Sequence, residues 1–130
     1  MHKSRLSNII IDCKTEDIEA AAEFWAAAIG RVAESDADSS EPYRLLEGPL
    51  GEMKILVQAV RHDSRVHLDI ETNDIEAEAA RLEGLGAKRV AKVKTWWVME
   101  APTGQRFCVV RPQRADFEEN ANIWQSKGDA

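Results

Sequence analysis

The chain is expected to fold as an α+β protein, built from two tandem βαβββ modules whose mixed sheet curves around a ligand cleft. Three observations lead there. The 12–20 stretch Asp-Cys-Lys-Thr-Glu-Asp-Ile-Glu-Ala returns 57 positions later as Asp-Ile-Glu-Thr-Asn-Asp-Ile-Glu-Ala, with Asp, Thr, Asp, Ile, Glu and Ala in place. Glu47-Gly-Pro-Leu-Gly51 returns 53 positions later as Glu100-Ala-Pro-Thr-Gly104, and Ile29-Gly30 and Leu85-Gly86 fall between, in the same order. A fixed order of repeated landmarks is the mark of a duplicated unit. The modules are placed at about 5–60 and 65–112, within a single domain over 1–130 that ends in a tail, 113–130.

Each element follows from its residues. Ser7 to Cys13 and Val66 to Ile70 are short, β-branched and apolar, as strands are. Thr15 and Asp17, then Thr72 and Asp74, offer capping oxygens, and Glu19 and Glu76 sit at the positive end of the helices that follow. Ile18, Ala22, Trp25 and Ile29 mark the apolar stripe of the first helix, and Ile75, Ala79 and Leu82 that of the second. Gly30 and Gly86 are placed to stop them in a left-handed conformation. Three strands are then expected per module: Arg31–Glu34, Tyr43–Glu47 and Met53–Val60, and Lys88–Val93, Trp96–Glu100 and Arg106–Arg111. Pro49/Gly51 and Pro102/Gly104 turn the chain into the last of each set. Ser35 to Glu41 is acidic and reads as a loop, Arg61 to Arg65 as a polar link, and Phe117 to Trp124 as helical.

Composition narrows the function. With 130 residues, 44% hydrophobic and 31% charged, the chain can bury a core. Its 23 acids against 17 bases give −6, unsuited to a phosphate backbone or an anionic membrane. No apolar run approaches a bilayer span or the core of a signal peptide, so a cytoplasmic location and a small-molecule partner are expected. Cys13 and Cys108 stand alone and read as free thiols.

Alternation assigns faces. Ile9, Ile11 and Cys13, like Val66, Leu68 and Ile70, point toward their helices. Asp12, His67, Asp69, Cys108 and Trp97 are expected on the opposite, concave face, where convergent polar groups are the default ligand site. His67 reads as a ligand, a general base or a buried histidine tied to Asp69 or a carbonyl; Asp12 and Asp69 read first as structural. Trp25 and Cys13 read as core, His2 as uninformative, His62 as solvated, and Glu76, Glu78 and Glu83 as a wet helix face.

Val66-His-Leu-Asp-Ile70, the helix end Leu82-Glu-Gly-Leu-Gly-Ala87 and Pro102-Thr-Gly-Gln-Arg-Phe-Cys-Val-Val110 together resemble the glyoxalase/bleomycin-resistance/extradiol-dioxygenase (vicinal oxygen chelate) superfamily, in its glyoxalase-like branch. The resemblance covers about 5–112. It implies a half-barrel cleft, a homodimer, and, in the enzymes, a divalent metal (zinc, nickel, iron or manganese) that polarises a substrate oxygen. Position by position, the second-module histidine falls on His67, the last-strand glutamate on Cys108 and the first-module histidine on Ile10. The remaining glutamate falls on Ile55 by direct repeat alignment, or on Gln58 after a small slip. The donor set is therefore incomplete, with His67 alone retained. The strand faces and the resemblance together imply a protein that binds a small organic molecule through His67, Asp69, Gln58, Trp97 and Cys108. Three outcomes stay open: a lyase or isomerase (or dioxygenase-like enzyme) with His67 as catalytic group and metal ligand, a non-catalytic protein that sequesters a drug or metabolite, and a regulatory or interaction protein that keeps only the fold.

Overall fold

The computed structural model describes residues 1–34, 40–49 and 51–125. Among these stand nine strands and three helices: β1(His2–Lys14), α1(Ile18–Ile29), β2(Val32–Ala33), β3(Tyr43–Glu47), β4(Lys54–Val60), β5(Arg65–Thr72), α2(Ile75–Gly84), β6(Lys88–Val93), β7(Trp96–Glu100), β8(Arg106–Val110), α3(Phe117–Asn120) and β9(Asn122–Trp124). The fold is α+β, and βαβββ occurs twice. Most of the expected acidic loop, 35–39, lies outside the described residues.

The chain divides into two compact units, Asn8–His67 and Met1–Ser7 with Leu68–Ala130. In the first, the strand order is β2-β3-β4-β1, and β1 runs parallel to β4 while β4/β3 and β3/β2 are antiparallel. The second has the order β6-β7-β8-β5, again with its first strand parallel to its last. A parallel pairing of first and last strand needs a crossover, which the helix and the two intervening strands supply.

Local chemistry repeats with the topology. Asp17 Oδ1 accepts the Ala20 N–H at 3.1 Å and Asp74 Oδ1 accepts the Ala77 N–H at 3.0 Å. Just upstream, Thr15 Oγ1 accepts from the Asp17 N–H and Thr72 Oγ1 from the Asp74 N–H. These bonds satisfy donors that a helix start leaves open. Gly30 closes α1 at φ 73°, a left-handed cap that a side chain would strain.

Each unit has its own core between helix and sheet. Ala22, Ala26, Leu46 and Val57 form one, with Ile11, Cys13, Trp25 and Ile55 packed on it. Ala79, Leu82, Met99 and Val109 form the other, with Ile70, Ile75, Trp97 and Phe107 against it. Trp25 and Cys13 are thus core residues, as their spacing suggests, and burial, above all, pushes the Cys13 thiol up.

Three expectations are corrected. The tail segment is helical only over Phe117–Asn120, and Asn122–Trp124 pairs as a strand with His2–Ser4. Trp124 Nε1 donates to Ser4 Oγ at 2.8 Å, which holds that strand in place. Nor is Glu78 on a wet face: it is fully buried, bonded to His2 Nε2 at 2.8 Å and to Arg81 at 2.7 and 2.8 Å. His2 is itself buried in this contact. The sequence start of β1, placed at Ser7, hid the reason, because the five earlier residues extend the strand along α2.

Candidate functional site

On β1 the packing of Ile11 and Cys13 against the α1 core fixes the faces, so Asn8, Ile10 and Asp12 share the other side. All three are buried, Asp12 at 2% exposure. The parallel ladder sets Ile10 beside Leu56 and Asp12 beside Gln58, and β3 adds Tyr43 next to Gln58. Asp12 Oδ2 accepts a hydrogen bond from His67 Nδ1 at 2.6 Å, and Arg65 Nε lies 3.9 Å from the same oxygen. A polar row, Tyr43–Gln58–Asp12–His67, therefore crosses this unit on the face turned away from α1.

The chemistry of the row is set by Asp12. A buried carboxylate bonded to Nδ1 fixes which imidazole nitrogen carries the proton and how the ring is aimed. The bond commits Nδ1, so any proton exchange or metal binding by this ring would fall to Nε2. Asp12 is thus more than a structural residue of the repeat: it orients His67, a partnership that sequence reading gave to Asp69 or a carbonyl.

The register also settles the slip in the alignment. Asp12 and Asp69 occupy the same place in the two modules, and their ladder partners are Gln58 and Cys108. Gln58, not Ile55, is therefore the counterpart of Cys108, and Ile55 packs into the α1 core. Ile10 is the counterpart of His67, and it carries no donor atom.

Trp97 is corrected outright. Its ring packs with Met99 on the α2 side, where Nε1 donates to Glu76 Oε1 at 2.9 Å and the Arg89 and Lys92 cations lie over the ring. Trp97 shares the parity of Met99, a core residue with no exposed surface, and this was the signal that placed it. The bonds from Trp97, Arg89 and Lys92 hold the Glu76 carboxyl down to about 2.

On the β5–β8 ladder, Asp69 faces Cys108. His67, two residues before Asp69, completes a group whose ligand atoms all lie within 4.8 Å of one another. One nitrogen, one carboxylate oxygen and one thiol sulfur make a donor set that suits zinc with an open position, and Asp12 is the outer partner such a histidine needs. These residues fit a divalent metal, though through a set that draws on Asp69 and Cys108 rather than on Ile10. Among the described residues no helix is long and apolar enough to cross a membrane.

A family model described as glyoxalase-like domain matches residues 8–110. Methylmalonyl-CoA epimerase from Mycobacterium tuberculosis superposes with a TM-score of 0.59 at 18% identity, covering 84% of this chain and 88% of that one. A hypothetical protein from Bacillus halodurans C-125 gives 0.58 at 13% identity, with coverages of 86% and 97%. The Mn(II)-bound glyoxalase from Novosphingobium aromaticivorans gives 0.55 at 15% identity, with 88% of this chain spanning 44% of that chain. At these identities the likeness is one of fold. No curated protein sequence matches.

Proposed function

From the premise that the chain belongs to the glyoxalase-like domain family of the vicinal oxygen chelate superfamily, we propose that it binds a small organic molecule on the face carrying Gln58, Asp12 and His67, with His67 as the working group. The observation that carries this reading is the 2.6 Å bond from His67 Nδ1 to the buried Asp12 carboxylate. A histidine anchored in this way is prepared to take a proton from a substrate and return it at a neighbouring atom, which is isomerase or lyase chemistry. Gln58, beside Asp12 in the ladder, offers an amide to a substrate oxygen. A divalent metal, when bound, would be held by His67, Asp69 and Cys108 and would polarise a substrate oxygen. Family membership further suggests a homodimer in the cytoplasm, which sedimentation and fractionation would check.

A second reading has its own support. Ile10, buried beside Leu56, leaves this face apolar at the position where a metal enzyme would place a donor. A protein that only sequesters an apolar compound needs no more than that.

Thermal-shift screening tests both readings. Small organic compounds, with and without Zn²⁺, Ni²⁺ or Mn²⁺, are expected to include one that raises the melting temperature of the native protein, since any ligand of the folded state does so. The shift should vanish in His67→Ala. Equal shifts in both proteins would contradict the proposal. Recovery of the compound unchanged after long incubation selects the sequestering reading, and a new product selects the enzyme.

A further inference from the structure

Arg65 stands two residues before His67 on β5, on the same face of the strand. Both side chains turn to one oxygen: His67 Nδ1 bonds Asp12 Oδ2 at 2.6 Å, and Arg65 Nε lies 3.9 Å from it. The second distance is too long for a hydrogen bond. Elsewhere Arg5, Arg31, Arg44, Arg81 and Arg89 each donate to a carboxylate at 2.6–3.1 Å. Among the described residues Arg65 makes no such bond, and its Nη2 has only a 3.4 Å contact with His62 Nε2, on the exposed link between β4 and β5. The guanidinium is reached from solvent: 47% of the Arg65 side chain is exposed, against 2% for Asp12 beside it. Asp63, on the same link, faces Lys14 at 3.7 Å, and Arg61 adds a further positive charge. This is a cationic corner in a chain of net charge −6. A guanidinium keeps its charge at any working pH, and its planar fork fits a carboxylate through two parallel bonds.

We infer that Arg65 anchors the charged end of the ligand, and that the ligand is a small organic carboxylate, held by the Arg65 fork with its carbon body toward His67. The inference rests on the small-molecule reading above and names the chemical class of the ligand. A carboxylate rather than a phosphate ester follows from the charge at hand, because one guanidinium, partly offset by Asp12, balances one negative charge better than two. The spacing to Asp12 has its reason here as well. Nε stands close enough to offset the buried carboxylate, while the remaining N–H groups serve a ligand that displaces the long contact with His62.

The test uses the full chain and titrates phenylacetate, 2-oxobutanoate and 2-hydroxybutanoate, each beside its primary amide, with phenyl phosphate as a dianion. Binding is read in ¹H–¹⁵N correlation spectra that include the Arg65 Nε–H signal. At least one carboxylate should move that signal and bind about fivefold or more tightly than its amide and than phenyl phosphate. Arg65→Gln should lose about fivefold or more of that affinity. Arg65→Lys keeps a charge beside Asp12, which guards against a folding defect, and should lose as much because the fork is gone. Arg61→Gln, which removes a neighbouring cation, should stay within fivefold of the native protein. Failure of all three carboxylates to bind, an amide or phenyl phosphate within fivefold, or an unmoved Arg65 signal would each overturn the inference. So would affinity retained in Arg65→Gln or Arg65→Lys, or lost equally in Arg61→Gln. Neutral compounds that still raise the melting temperature in a His67-dependent way would then leave the small-molecule proposal standing. Carboxylate binding that needs Arg65 but survives His67→Ala would overturn the role of His67 alone.

Discussion

Replacing Glu78 by alanine is expected to be among the most damaging single changes at a charged residue of this chain. The carboxylate has no exposed surface and accepts from His2 at 2.8 Å and from Arg81 at 2.7 and 2.8 Å. Arg81 in turn lies 4.0 Å over the Trp124 ring, so the carboxylate supports the β9 strand as well as the start of β1. Breaking a buried pair by removing one partner costs about 3–5 kcal/mol. Arg81 keeps a quarter of its side chain in water and can rehydrate, which favours the lower figure, about 3 kcal/mol. An unfolding entropy near 2.1 cal/mol/K per residue over this length converts that into a fall of about 11 °C. The effect depends on pH. Burial pushes the Glu78 carboxyl up, but the bonds from Arg81, His2 and Ser4 outweigh it and hold it below its ordinary 4.5. Its contribution is therefore complete above pH 4.5 and fades as acid protonates the folded carboxyl. Melts followed by circular dichroism should separate native protein and Glu78→Ala by about 11 °C at pH 7, with the gap closing as pH falls below 4.5. A gap under 2 °C at pH 7, or one that widens in acid, would refute the reasoning.

Four further outcomes follow from the same contacts. Met99→Ala, at a fully buried core position, should cost about 2–5 kcal/mol in denaturant unfolding. Gly30→Ala should cost about 1 kcal/mol through its left-handed backbone, because a Cβ there meets nothing within 4 Å. In acid titrations of stability, Glu76→Gln should remove a component that the native protein holds above pH 4.5 and loses as pH falls toward about 2. Trp97→Phe should leave compound binding unchanged, since the ring stands on the α2 side, and a loss of binding would contradict that placement.

The modules were readable in the sequence because their markers are local. Capping residues, helix stripes and turn residues act within a few positions, and the strands Tyr43–Glu47, Lys88–Val93 and Trp96–Glu100 lie where alternation and turns predict. Side-chain parity likewise put Ile11, Cys13 and Ile70 toward the helices, whereas Val66 and Leu68, given the same direction, are exposed at 57% and 44%. What escaped depends on distant partners. Nothing near His2 shows that Glu78, 76 residues on, will bury it, and nothing near Asp12 shows that His67 will bind it. The Gln58 register was ambiguous because the modules differ in length between their shared landmarks, and only the ladder counts residues across that difference. Trp97 is a different case. Its parity with Met99 was visible, but nothing local in the strand shows that Met99 faces α2.

The most direct test of the central claim is the ¹⁵N spectrum of the His67 imidazole. If Asp12 holds the ring as the bond at 2.6 Å implies, neutral His67 carries its proton on Nδ1, and addition of a binding compound or of Zn²⁺ moves the Nε2 resonance while Nδ1 stays protonated. A proton found on Nε2 instead, or an Nε2 signal unmoved by every compound that raises the melting temperature, would contradict the account.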